Sequence, residues 1–304
     1  MGPHKVFVCG ATGLQGGALA RQLRALGWEV HTITRDTGSA AAQALTSIGV
    51  TVHQGSWSDS AALSAALAGC DGLFLNLVPD MTNPPAEFDD GKTVLAAAQA
   101  AGVQHVVYSS GLALPPMPAD HFMTVVFKPK LDLEQALQTA GFPRWTVLRP
   151  GYFMTNLVAP KVHMLYPGSA ESGLFTFAFR PTTELPMIDH EDIGKFAAAA
   201  LQRPDEFHEK VIDVVSESVP VARAVETMRR VTGRSGIRAE YVEGEALQRA
   251  AAANPLLVLQ GLLRDVPSLG DAAAAARKWG VETARFEQFV ERERGEFDAT
   301  YRNV

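Results

Sequence analysis

Val6-Phe7-Val8-Cys9-Gly10-Ala11-Thr12-Gly13-Leu14-Gln15-Gly16 opens the chain and decides how its fold is read. The apolar run Val6–Cys9 reads as a short buried strand. Glycines at 10, 13 and 16 make a turn, and Leu19, Leu23 and Leu26 carry helical spacing beyond it. Strand, glycine turn and helix in that order bring free backbone N–H groups and the positive end of a helix dipole to one spot. Side chains at the glycines would hold phosphate oxygens away from that backbone. The stretch therefore reads as a turn that cradles the pyrophosphate of a dinucleotide. A P-loop is excluded by spacing. Gly17-Ala18 follows the turn where Lys-Ser/Thr is needed, and Gly91-Lys92-Thr93 lacks the upstream glycine and preceding strand.

Working outward, β-rich apolar runs recur at Val30–Ile33, Val50–His53, Leu73–Val78, Val103–Tyr108 and Trp145–Leu148. Between them lie alanine- and leucine-rich segments at Ala18–Leu26, Ser39–Ser47, Asp59–Ala68, Lys92–Ala101 and Leu131–Ala140. Glycines 27, 49, 69, 102 and 141 close these segments, as left-handed helix caps do. This alternation predicts an α/β fold with a doubly wound parallel Rossmann sheet over residues 1–152. After Leu148 the rhythm breaks, and Pro150–Pro186 reads as irregular. A helix at Ile188–Leu201 and a strand at Val211–Val215 are expected to return residues 188–215 to the sheet. The rest of 153–304 is expected to form a smaller, mainly helical substrate or partner lobe, with helices at Val221–Val231, Gly244–Ala252, Pro255–Leu263 and Thr283–Phe297.

The net charge of −6 comes from interspersed acids and bases, and no Lys/Arg run points to direct nucleic-acid binding. Cys9 and Cys70 lack metal-ligand spacing and are expected to be buried, reduced thiols. No apolar stretch has the length of a bilayer span, and Pro255–Leu263 is expected to be a buried helix instead. The start at Met1 runs straight into a strand, which predicts no signal peptide and a cytoplasmic protein.

The end of the second strand distinguishes the two nicotinamide dinucleotides. A carboxylate there favours a ribose 2′-OH, and an arginine favours a 2′-phosphate. Val30-His31-Thr32-Ile33-Thr34 runs into Arg35, which favours NADP(H) over NAD(H). Asp36 beside it keeps NAD(H) open.

Four segments together resemble the NmrA-like family, a branch of the atypical short-chain dehydrogenase/reductases. They are Gly10–Gly16 with its Gln15, Thr34-Arg35-Asp36, Val106-Val107-Tyr108-Ser109-Ser110-Gly111, and Leu148-Arg149-Pro150-Gly151-Tyr152-Phe153-Met154-Thr155-Asn156. The resemblance implies a Rossmann domain that binds NADP(H). Gly10, Thr12, Gly13, Leu14, Gln15 and Gly16 would lie on the pyrophosphate and Arg35 on the 2′-phosphate. Ser56 and Trp57 would lie near adenine, although family members often carry an aspartate where Ser56 stands. Asn76 would border the ribose-phosphate path, and Tyr152, Phe153 and Asn156 the nicotinamide end.

Dehydrogenases of the wider superfamily use Tyr-x-x-x-Lys as proton donor and ribose clamp. Here Lys130-Leu131-Asp132-Leu133-Glu134 matches the family's Lys-x-x-x-Glu, but Val126 stands where the tyrosine would be. Relatives that reduce phenylcoumaran benzylic ethers and isoflavones share this pattern. The resemblance thus implies an NADPH-dependent reductase in which Lys130 is acid/base or clamp. The alternative is a non-catalytic redox sensor bound to a regulatory protein partner, which would allow a nuclear location. Pro129 suggests that Lys130 opens its helix. Pro79–Asp90 and Leu112–Phe127 read as loops at the strand ends, and their apolar content suits a quinone, enone or phenolic small molecule. His121, in the second loop, is a further candidate proton donor.

Overall fold

The computed structural model describes residues 4–115, 117 and 121–304. Pro116 and Pro118, part of the expected second loop, lie outside the described residues. The chain divides into two compact units, one comprising the residues up to Pro150 with His190–Val214, the other Gly151–Asp189 with Val215–Val304.

The first unit is built on strands β1 (Lys5–Val8), β2 (Glu29–Thr34), β3 (Thr51–Gln54), β4 (Gly72–Leu75), β5 (His105–Ser109) and β6 (Arg144–Pro150). With the strand Lys210–Val214 they form one seven-stranded sheet in the order Lys210–Val214, β6, β5, β4, β1, β2, β3. Every pairing in it is parallel. Strands buried on both faces need continuous apolar runs, and β4 and β5 are buried at every residue. Helices α1 (Leu14–Ala25), α2 (Ala40–Ser47), α3 (Ser60–Leu67), α4 (Ala86–Ala100) and α5 (Phe122–Thr139) connect the strands. Helix His190–Gln202 packs on α1 so closely that a Cβ at Gly194 would stand 3.0 Å from the α1 backbone. The expected glycine caps at 27, 49, 69, 102 and 141 all have positive φ. Cys9 and Cys70 are free and buried, and burial pushes their thiols up to about 12 and about 11.

Two expected loops are shorter than their sequences suggest. α4 begins at Ala86, inside the expected loop Pro79–Asp90, and Gly91-Lys92-Thr93 is plain helix. α5 begins at Phe122, inside the expected loop Leu112–Phe127, and Pro129 lies within it rather than at its start. The physical reason is one helical stripe of buried residues, Val126, Pro129, Lys130, Leu133, Glu134 and Leu137. Burying that stripe outweighs the backbone hydrogen bond that a proline removes.

The second unit has its own core, rich in aromatic rings that include Tyr166, Phe175, Phe177, Phe286, Phe289, Phe297 and Tyr301. The segment expected to be irregular contains strands Leu174–Phe177 and Glu184–Ile188. The latter pairs with Tyr152–Phe153 on one side and Glu217–Pro220 on the other. The expected helix Thr283–Phe297 is two helices, Phe286–Arg292 and Arg294–Thr300, with Glu293 between them. Helix Leu256–Leu263 buries only Leu257 and Gln260 and exposes Val258 and Leu262, so the expectation of a buried helix at Pro255–Leu263 is corrected to a partly exposed apolar one. Among the described residues no helix is long and apolar enough to cross a membrane.

Candidate functional site

A parallel sheet brings the residues after each strand to one edge. Gly10 follows β1, Arg35 follows β2, Ser56 lies beyond β3, Asn76 follows β4 and Ser110 follows β5. The strand order reverses between β1 and β4, and there Gly10 meets Asn76. A Cβ on Gly10 would stand 3.1 Å from the buried Asn76 Nδ2.

Gly10 leaves β1 at φ +64°, which a side chain would resist. The Gly13 N–H donates to the Gly10 carbonyl at 2.9 Å and closes the turn. Beneath it, a Cβ on Gly16 would lie 2.5 Å from the Gly10 oxygen and 2.7 Å from the Cys9 oxygen. No side chain caps α1, and its first turn holds no acidic residue. Its leading N–H groups therefore face an outside acceptor, and the donor set fits an anion such as pyrophosphate. Thr12, Gly13 and Leu14 are exposed along the turn and border a groove of about 490 Å³ that reaches Leu45 of α2 and Ile48 just after it. Gln15 does not face this opening freely, because its side-chain carbonyl accepts from Ser109 Oγ at 2.7 Å. That bond ties the first turn of α1 to the end of β5.

Arg35 is exposed, and no ion pair or hydrogen bond engages its guanidinium among the described residues. The neighbouring Asp36 uses Oδ1 to accept the Gly38 N–H at 2.9 Å, folding its carboxylate into its own turn. Ser56 Oγ lies 2.9 Å from Ser58 Oγ, and Trp57 is half-buried against the core.

At the other end of the edge, Lys130 Nζ donates to Glu87 Oε1 at 2.5 Å. The Glu87 side chain is 0% exposed and that of Lys130 11%. Burial pushes the Glu87 carboxyl above the usual range, and Lys130 opposes the rise. Val126 sits one turn before Lys130 on the same buried stripe and brings no ionisable group. Glu87 went unnoticed in the sequence because its segment read as loop. The signal lay in the helical spacing of Glu87, Gly91, Val94, Leu95 and Ala98, all buried on α4. His121 precedes α5 and accepts the Met123 N–H through Nδ1 at 3.2 Å, so it serves as the helix cap.

Two motif residues prove to be partners. Arg149 grips Glu134 through Nε at 3.0 Å and Nη2 at 2.6 Å, joining β6 to α5. The Lys-x-x-x-Glu and Arg-Pro segments are thus linked by a paired, charge-assisted contact. Tyr152, Phe153 and Asn156 belong to the second unit. Tyr152 Oη lies 2.8 Å from Tyr166 Oη, and burial raises its phenol well above the usual value while Asn156 opposes. Lys161 Nζ covers the Phe153 ring at 4.7 Å from its centre.

The parallel order, the reversal at Gly10 and the uncapped glycine turn define a Rossmann-type α/β protein. Residues 3–285 match the NmrA-like family, and the chain belongs to it. It is 33% identical over 250 residues to the (4-alkanoyl-5-oxo-2,5-dihydrofuran-3-yl)methyl phosphate reductase of Streptomyces griseus, covering 82% of this chain and 80% of the relative. It is 31% identical over 257 residues to the NmrA-like oxidoreductase malD of Malbranchea aurantiaca, covering 79% and 76%. Among solved structures, that of NmrA, a negative transcriptional regulator, in complex with NADP superposes with a TM-score of 0.75. Its identity is 20%, over 96% of this chain and 95% of that one. These relatives, named as oxidoreductase and reductase, support an oxidoreductase.

Proposed function

We propose that the protein is an NADP(H)-dependent reductase of an apolar small molecule of the quinone, enone or phenolic type. The observation that carries the reading is the open, uncapped N-terminus of α1 under the glycine turn, with an unengaged arginine at the end of β2. In this reading Gly10–Gly16 hold the pyrophosphate through backbone N–H groups, and Thr12 and Leu14 flank it. Gln15, held by Ser109, keeps the turn against the sheet. Arg35 pairs with a 2′-phosphate, while the turn-bound Asp36 is a poor partner for a 2′-OH. Ser56 and Trp57 border the adenine, and Asn76 the path between ribose and phosphate. NADPH supplies hydride. Lys130 stands at the reacting end as hydrogen-bond donor. Exposed Val78 and Met81 after β4, and Phe122 and Val125 on α5, favour an apolar substrate. The name of the Streptomyces relative describes a ring alkene conjugated to a carbonyl, which supports an enone-type hydride acceptor.

Titration with NADPH and NADH, followed by cofactor oxidation with quinones, enones and aromatic ethers, tests the reading. Tighter NADPH binding that Arg35→Ala weakens selectively is expected, together with turnover of at least one compound. Equal affinity for both dinucleotides would refute the 2′-phosphate assignment. The second reading, an NADP(H) sensor with a regulatory protein partner, draws on Val126 in place of the tyrosine. Tight cofactor binding with silence across the panel and a cofactor-dependent pull-down would establish it.

A further inference from the structure

A lysine sealed from solvent favours its neutral amine, and a sealed carboxylate favours its neutral acid. Glu87 is sealed and Lys130 keeps only a small exposed part, and they meet at 2.5 Å, which makes each the counter-charge of the other. Two further titratable groups among the described residues lie beside the pair, Glu134 and Tyr108. Glu134, one turn along α5, is held by both arms of Arg149 from β6. Tyr108 on β5 is fully buried, and burial, with the Glu87 and Glu134 carboxylates, pushes its phenol far above the usual value. Tyr108 therefore stays protonated and offers no base. Among the described residues Lys130 is the one ion-pair partner of Glu87. Glu87 Oε2, Tyr108 Oη and Ser110 Oγ are buried without a well-formed hydrogen bond, so among the described residues nothing else spreads the Glu87 charge. On the far side, Gly111 lets the Lys130 stem pass, and a Cβ there would lie 3.7 Å from Lys130 Cδ and 3.0 Å from the Phe127 ring.

We propose that Glu87 is a positioning residue for Lys130. Its carboxylate keeps Lys130 a fixed cation, so that Lys130 acts by charge and N–H donation and does not shuttle a proton. The proposal rests on the reductase reading for the place of Lys130 at the reacting end. The proton that accompanies hydride then comes from solvent, and Lys130 steadies the oxygen that gains charge.

Competitive acetylation of the full chain with acetic anhydride from pH 6 to 10, read at Lys130 by mass spectrometry, tests this without turnover. In Glu87→Gln the labelling midpoint is expected to fall by about one pH unit or more, which speeds labelling at pH 8 about tenfold. Glu87→Asp is expected to keep the wild-type midpoint. A Glu87→Gln midpoint equal to wild type, even with a higher plateau from easier access, overturns the proposal. If Glu87→Gln does not fold, 13C-lysine NMR of the wild type decides. A Lys130 inflection below the ordinary lysine value of about 10.4 overturns the proposal, and none below it supports it. Silence across the substrate panel would sink the reductase reading alone and leave the labelling result standing.

Discussion

Alanine at Gly16 and alanine at Gly13 should separate the glycine that builds the turn from the glycine that opens it. A Cβ on Gly16 would stand 2.5 Å from the Gly10 oxygen, 2.6 Å from the Gly10 carbonyl carbon and 2.7 Å from the Cys9 oxygen. All three are backbone atoms, and comfortable contact needs roughly 3.5 Å. α1 must therefore retreat by about 1 Å from β1, an overpacking that costs about 1–3 kcal/mol. For a chain of this size that lowers the melting temperature by roughly 2–5 °C. A Cβ on Gly13 meets only the Gly10 oxygen, at 3.3 Å. Gly13 flanks α1 with φ −98°, which alanine adopts freely. The loss of a favourable cap and the gain from a stiffer unfolded chain nearly cancel, leaving a change under about 1 kcal/mol. The Gly13 methyl would instead crowd the approach to the α1 N–H groups. NADPH binding should weaken at least about tenfold, the worth of one charge-assisted hydrogen bond. Thermal melts by circular dichroism and NADPH titration by fluorescence check both variants. A Gly16→Ala melt within about 1 °C of wild type would refute the packing argument. Wild-type NADPH affinity in Gly13→Ala would refute the placement of the pyrophosphate.

Removing one arm of the joint between β6 and α5 should damage the fold more than removing both. Arg149→Met leaves the Glu134 carboxylate buried and is expected to cost about 3–5 kcal/mol in urea melts, with the double variant Arg149→Met/Glu134→Leu closer to wild type. Ser109→Ala frees the Gln15 side chain and should loosen α1, lowering stability by about 1 kcal/mol with a matching loss of NADPH affinity. His105 is buried on β5 and bonded to Thr146 Oγ1 at 3.0 Å, and burial, with Arg144 and His208, lowers it to about 4. A base whose folded value lies below its unfolded value contributes stability that is full above about pH 6.5 and drains as pH falls toward 4. The loss is on the order of 3 kcal/mol, and a flat stability profile between pH 7 and 4 in wild type, measured by denaturant melts, would contradict it.

Contacts close along the chain were the ones legible in the sequence. The strand, turn and helix at Val6–Leu26 are dictated by residues within one another's reach, because a left-handed turn and a backbone approach admit only glycine at Gly10 and Gly16. The five glycine caps and the alternation of strands and helices follow from equally local rules, and so does Arg35, which simply ends β2. Pro129 misled for the same reason. Read locally it starts a helix, whereas burial of the stripe from Val126 to Leu137 carries α5 through it. Tertiary structure alone assigned partners to the motif residues. Gln15 bonds Ser109, Glu134 grips Arg149, and Glu87, unremarked in the sequence, closes on Lys130 from another helix. Each of these pairs joins side chains brought together only when the parallel sheet forms. Their charge and hydrogen-bond balance depends on burial, a property of the packed layers and not of any one segment.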